Sequence, residues 1–247
     1  MPDIALSNLM IFLAGAFAAA FVTGLAGFAF GMVAAAIWFH ALTPIQATAL
    51  IVAYALLVQG YAVWKLRRTV NIGRLLPFIA GSAVGIPFGI IILKWAAPSD
   101  LRITVGLLLI SFSLYNLARP KMPEFRQAGA VPDTMVGVFN GVLGGSTGLG
   151  GILPTIWCGL RGWPKDEQRA VFQSTAVATF LMTILWLGGA GTLTIDIARL
   201  FVVGLPALFI GTWLGWKLYG RLDETKFRKV VLGLLLASGI ALVWTWR

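Results

Sequence analysis

The sequence predicts an all-α polytopic membrane protein built from two repeats of inverted topology, each a glycine-broken re-entrant or hairpin segment followed by three transmembrane helices. Three observations predict it: the composition, two apolar runs interrupted by glycine, and an order of segments that occurs twice. The 247 residues are 59% hydrophobic and 11% charged, with a mean hydropathy of +0.88, a balance that a soluble domain of this length does not reach. Basic residues outnumber acidic ones 19 to 9. In a soluble chain that excess would point to nucleic acid; in a membrane chain it marks cytoplasmic loops, so no nucleic-acid partner is expected. The single cysteine, Cys158, excludes an intramolecular disulfide and supports no metal cluster. No CxxC, HExxH or Walker-type loop occurs, and no cofactor is expected. The N-terminus MPDIALSNLM lacks the basic start of a signal peptide, so the first apolar segment is read as retained.

In chain order, apolar segments run from Leu6 to Phe39, Ile45 to Trp64, Leu75 to Trp95, Leu101 to Leu117, Thr134 to Leu160, Ala170 to Gly189, Ile197 to Tyr219 and Val230 to Trp246. Six of them suit one crossing of about 20 residues each. The first and fifth do not. As one helix the first would be about 50 Å long, well beyond a hydrocarbon core of roughly 30 Å. It must break, and Gly24, Gly27 and Gly31 mark where. The fifth contains GGSTGLGG, Gly144 to Gly151, where each glycine costs about 1 kcal/mol of helix propensity relative to alanine.

The segments repeat in order. Thr23-Gly24-Leu25-Ala26-Gly27 echoes Thr147-Gly148-Leu149-Gly150-Gly151, Trp64 matches Trp186, and Gly85 and Gly89 fall opposite Gly211 and Gly215. Two homologous halves are expected, 1–120 and 133–247, joined by a cytoplasmic linker at 121–132. The basic residues decide their relative orientation. If both glycine-broken segments return to the side they came from, the loops beginning at Lys65, Arg119, Arg161 and Lys217 share one face. That face holds 15 of the 19 basic residues, and only Lys94, Arg102, Arg199 and Arg247 lie opposite. With single crossings throughout, the basic residues divide almost evenly, which gives no orientation. The positive-inside rule selects the first arrangement, with inverted halves and both termini outside the cytoplasmic membrane.

A broken helix inside a membrane leaves backbone N–H groups that lipid cannot satisfy. At a helix N-terminus those groups and the dipole together favour an anion. The candidate substrate-binding residues are therefore Thr23, Gly24 and Gly27 in the first half and Gly145, Ser146, Thr147, Gly148, Gly150 and Gly151 in the second. Polar residues just beyond each break join them: Gln46 and Thr48 after the first, Gln173 and Ser174 after the second, and Asn140 one turn before it. The same hydroxyls and amides would also serve as interhelix hydrogen bonds. Gly81, Gly85 and Gly89, a tandem GxxxG, are read as a helix-packing face. His40 and Cys158 are read as an interfacial and a packing residue. No acidic or basic side chain lies mid-segment, which argues against a buried carboxylate relay and an acidic cation site.

Gly148-Leu149-Gly150-Gly151-Ile152-Leu153-Pro154, Arg169-Ala170-Val171-Phe172-Gln173-Ser174-Thr175 and Gly24-Leu25-Ala26-Gly27-Phe28, together with the duplicated layout, resemble the TauE/SafE family of sulfite exporters over nearly the whole chain. The first half departs from the pattern, with Phe30 where Pro154 stands in the second. The resemblance implies a secondary transporter, not an enzyme, that moves sulfite, a sulfonate or a similar small organic anion across the cytoplasmic membrane by export. A channel, or a permease for another small solute, is the alternative. The implied partners are the small anion and membrane lipids, with a homo-oligomer left open.

Overall fold

The computed structural model describes residues 6–26, 29–66, 70–118, 125, 128–218 and 224–244. They form ten helices and no strand among the described residues: α1 Leu6–Ala26, α2 Phe30–Ala41, α3 Pro44–Leu66, α4 Ile72–Trp95, α5 Pro98–Ala118, α6 Ala130–Thr147, α7 Ile152–Leu160, α8 Lys165–Gly189, α9 Ile195–Leu218 and α10 Glu224–Trp244. Five of these, in α1, α4, α5, α8 and α9, are long and apolar enough to cross a membrane. Both overlong segments break as their length requires, the first between α1 and α2 and the fifth between α6 and α7. Gly27 lies outside the described residues.

The second break is narrower than its glycine content implies. α6 runs on through Gly144 and Gly145 to Thr147, and only 148–151 leave the helix. Gly24 and Gly31 likewise sit inside helices. These helical glycines have a packing reason: a Cβ at Gly145 would come 2.7 Å from the Ile86 carbonyl oxygen, and one at Gly24 2.7 Å from that of Thr212.

The helices gather into two compact units, Met1–Ile51 with Ala96–Pro120 and Thr194–Arg247, and Val52–Trp95 with Lys121–Leu193. Each unit draws helices from both sequence halves. In the second, α4 lies backbone to backbone on α6. Side chains at Gly81, Gly85 and Gly89 would strike the carbonyls of Thr134, Val138 and Val142, while those at Gly137 and Gly141 would strike Phe78 and Ser82. The first unit pairs α9 with α1 in the same way, with Gly211 and Gly215 against the carbonyls of Phe17 and Phe21.

These are corresponding contacts. One offset relates Phe17, Phe21 and Gly24 to Val138, Val142 and Gly145; a second relates Gly85, Ile86 and Gly89 to Gly211, Thr212 and Gly215. The two pairs thus make equivalent contacts, in each of which a GxxxG helix packs on a helix that leads into a break. Close backbone approach gives dispersion contacts that lipid, as apolar as the side chains, cannot match. α5 and α10 pack at Gly106 and Gly239, whose added Cβ atoms would each lie 2.8 Å from the other's carbonyl oxygen.

Candidate functional site

The α6–α7 segment is a helical hairpin. Asp133, in the first turn of α6, accepts a hydrogen bond from Trp157 Nε1 at 2.6 Å and pairs with Arg161 Nη2 at 3.3 Å, just past the end of α7. Start and finish of the segment are therefore side by side. The α1–α2 segment closes similarly, with Trp38 Nε1 donating to the Phe12 carbonyl at 3.1 Å.

Around the foot of the second hairpin the basic loops assemble. The Trp163 ring has Arg74 on it at 4.7 Å and Arg161 at 5.1 Å. Arg74 pairs with Glu167 at 2.7 Å. Arg161 Nη1 donates to the Phe125 carbonyl at 3.0 Å, and the Phe125 N–H donates to Leu160 at 2.7 Å. Residues of three loops that the charge count places on one face thus share one end of this unit. At its other end, Lys94 Nζ donates to the Ala190 carbonyl at 3.0 Å.

At the hairpin tip, Gly148 takes φ 73° and closes α6, its N–H donating to Gly144 at 3.0 Å. Gly151, φ 101°, caps the start of α7. Its N–H donates to Asn140 Oδ1 at 2.6 Å, and Asn140 Nδ2 donates to Ser82 Oγ at 3.2 Å and Thr179 Oγ1 at 3.0 Å. Ser82 Oγ donates in turn to the Gly137 carbonyl at 3.1 Å. The wholly buried Asn140 amide thereby ties α4, α6 and α8 to the cap of α7.

Helix geometry leaves the first N–H groups of α7, at Ile152 and Leu153, without intrahelical acceptors, while Pro154 in the first turn brings none and Thr155 N–H returns to the Gly151 carbonyl at 3.0 Å. From its foot, α7 rises about 14 Å over nine residues, so the positive end of its dipole lies at the hairpin tip.

The hydroxyls expected to act as donors are turned onto their own helices. Thr23 Oγ1 donates to Ala19 at 2.7 Å, Ser146 Oγ to Val142 at 2.8 Å and Thr147 Oγ1 to Leu143 at 2.8 Å. In this conformation they offer lone pairs rather than protons. Gln46 is part of a capping box at the start of α3: its Oε1 accepts from the Thr43 N–H at 3.2 Å, and its own N–H donates to Thr43 Oγ1 at 3.3 Å. Thr48 is fully buried.

On α8 the picture differs. Gln173 Oε1, Ser174 Oγ, Thr175 Oγ1 and Thr183 Oγ1 are buried without a hydrogen-bond partner among the described residues. α8 faces the hairpin tip through Ala176, Thr179 and Phe180. A Cβ at Gly151 would come 2.8 Å from Ala176 Cβ, and one at Gly150 3.0 Å from Thr179 Cγ2 and 3.1 Å from Phe180. Gln173 and Thr175 flank that face, whereas Ser174, two residues from Ala176, lies round the helix from it. Of these unmatched atoms the hydroxyls can donate to an anion, whereas the Gln173 carbonyl oxygen can only accept.

The site also uses residues the sequence reading did not select: Asp133, Arg161, Trp157, Ser82 and Thr179. The signal for Thr179 was present, as the middle of a Thr-x-x-x-Thr-x-x-x-Thr run from Thr175 to Thr183.

A family model described as sulfite exporter TauE/SafE matches residues 11–242. No curated protein and no solved structure matches the chain.

Proposed function

The chain belongs to the sulfite exporter TauE/SafE family, and from that premise we propose that it is a secondary carrier that exports a small sulfur-containing or organic anion, such as sulfite or a sulfonate, across the cytoplasmic membrane. The observation that carries this reading is the tip of the second hairpin, where the start of α7 lies against α8 beside the unpartnered Gln173 Oε1 and Thr175 Oγ1.

The N–H groups of Ile152 and Leu153 and the helix dipole attract the anion. Gly148, Gly150 and Gly151 let it approach the backbone, where a side chain would stand in the way. The Gln173 carbonyl oxygen can accept a hydrogen bond from a protonated form such as bisulfite, so the substrate can carry its own proton. Ser146 and Thr147, at the end of α6, stand beside this site, Ser174 belongs to the far side of α8, and Thr23, Gly24, Gly27, Gln46 and Thr48 are the corresponding set in the first half. Asn140 holds the cap of α7 and acts on the anion through it.

Hairpins that return to the face they came from, each followed by three further helices, support inverted halves with both termini outside, and the clustering of Arg74, Phe125 and Arg161 at one end supports calling that end cytoplasmic. Substrate would then be exchanged by alternating access.

Purified protein in proteoliposomes tests the reading. Wild type should move sulfite, a sulfonate or a small carboxylate, and Gln173→Ala should lower that rate by about tenfold while the protein stays folded. An unchanged rate in Gln173→Ala would remove the site from the hairpin tip.

A further inference from the structure

A threonine inside a helix ordinarily donates its hydroxyl to the carbonyl four residues back. Thr23, Thr104, Thr134, Thr147, Thr155 and Thr179 all do so here, at 2.7 to 3.0 Å. Thr175 and Thr183 on α8, like Thr212 on α9, do not. The two on α8 are fully buried, and neither hydroxyl meets an acceptor among the described residues. A hydroxyl with a backbone acceptor always one turn away, yet aimed elsewhere, is set for another partner.

Their position says which. Thr175, Thr179 and Thr183 stand one turn apart on a single face of α8, over about 12 Å. The middle residue touches the hairpin: it accepts from Asn140 Nδ2 at 3.0 Å, and a Cβ at Gly144 would come 2.6 Å from its methyl group. The two unpartnered hydroxyls therefore flank the tip, one turn before it and one turn after. No acidic residue occurs between Glu167 and Asp196, so nothing along α8 repels an anion, and no cation other than Arg169 would hold one fast.

We propose that the Thr175 and Thr183 hydroxyls are two successive donor subsites for a small oxyanion, on either side of the hairpin tip, so that the substrate passes along the threonine face of α8. The inference rests on the reading of the chain as an anion carrier. Neutral hydroxyls in series suit that task, since each site must bind well enough to receive the ion and weakly enough to release it.

Sulfite transport by wild type, Thr175→Val, Thr183→Val and the double variant in proteoliposomes tests it, with the melting temperature of each read alongside. Valine keeps the shape and removes the donor. Each single variant should raise KM by about tenfold, the double variant more, with melting temperatures at or above wild type because an unmatched hydroxyl has gone. Thr183→Ser should bring KM back toward the wild-type value. Thr179→Val should instead lower the melting temperature, as it strips a partner from Asn140. Valine variants with wild-type KM and maximal rate would overturn the subsites while leaving the carrier reading intact. A wild type that moves none of sulfite, sulfonate or carboxylate would contradict the carrier reading itself, and the subsites with it.

Discussion

The indole N–H of Trp157 lies 2.6 Å from Asp133 Oδ1, which brings the end of α7 back to the start of α6. A segment tied in this way leaves by the face it entered. In a background where Cys158 is replaced by serine, cysteines introduced at Gly129 and Lys165, both exposed, should react with a membrane-impermeant maleimide from the same side. A cysteine at Leu193 should react from the other. Labelling of 129 and 165 from opposite sides would mean that the segment crosses.

Asp133 and Arg161 are 3% and 7% exposed, so each depends on the other to offset its desolvation. Removing either leaves an uncompensated buried charge, a loss of about 3 to 5 kcal/mol. Asp133→Ala and Arg161→Ala should each destabilise the detergent-solubilised protein strongly, and the double variant should lose clearly less than their sum. Additive losses would show that the pair is not coupled.

The caps of α2 and α7 differ in one respect. Gly151 at φ 101° is a glycine, whereas Ala29 takes φ 78° with a methyl group, the one non-glycine residue in the left-handed region among those described. Gly151→Ala should destabilise by at least about 1 to 2 kcal/mol from backbone strain alone, and more because its Cβ would sit 2.8 Å from that of Ala176. Ala29→Gly relieves that strain, against a gain in unfolded-chain entropy of similar size, and should leave the melting temperature at or above wild type.

Glycines of the packed pairs should be far less tolerant than those facing open space. Gly85→Leu or Gly211→Leu would drive a side chain into the Val138 or Phe17 carbonyl and part the helices. Gly159 in α7 has nothing within 4 Å of an added Cβ, and Gly159→Ala should stabilise by up to about 1 kcal/mol. A stability series that ranked these variants in any other order would contradict the packing.

The helix breaks and the packing role of the GxxxG motifs were legible in the sequence because each follows from length or spacing. The foot of the hairpin was not. Asp133 and Arg161 are 28 positions apart, and each reads as an ordinary loop charge until the hairpin joins them. Asn140 looked like a ligand because its chemistry suits one, but which groups a buried amide meets depends on α4 and α8, and here they occupy it. Likewise a threonine's type does not reveal whether its hydroxyl turns back onto the helix, as at Thr147 and Thr179, or away from it, as at Thr175 and Thr183. The glycines misled in one respect: Gly144 and Gly145 counted toward a break, yet tertiary packing keeps them helical despite their low propensity.

Counterflow of labelled sulfite in proteoliposomes tests the central claim most directly. Vesicles loaded with unlabelled sulfite should draw in labelled sulfite faster than empty ones when they hold wild-type protein, with the acceleration largely lost in Gln173→Ala. Labelled flux that is indifferent to internal sulfite would identify a channel, and an acceleration that survives Gln173→Ala would place the anion away from the tip of the second hairpin.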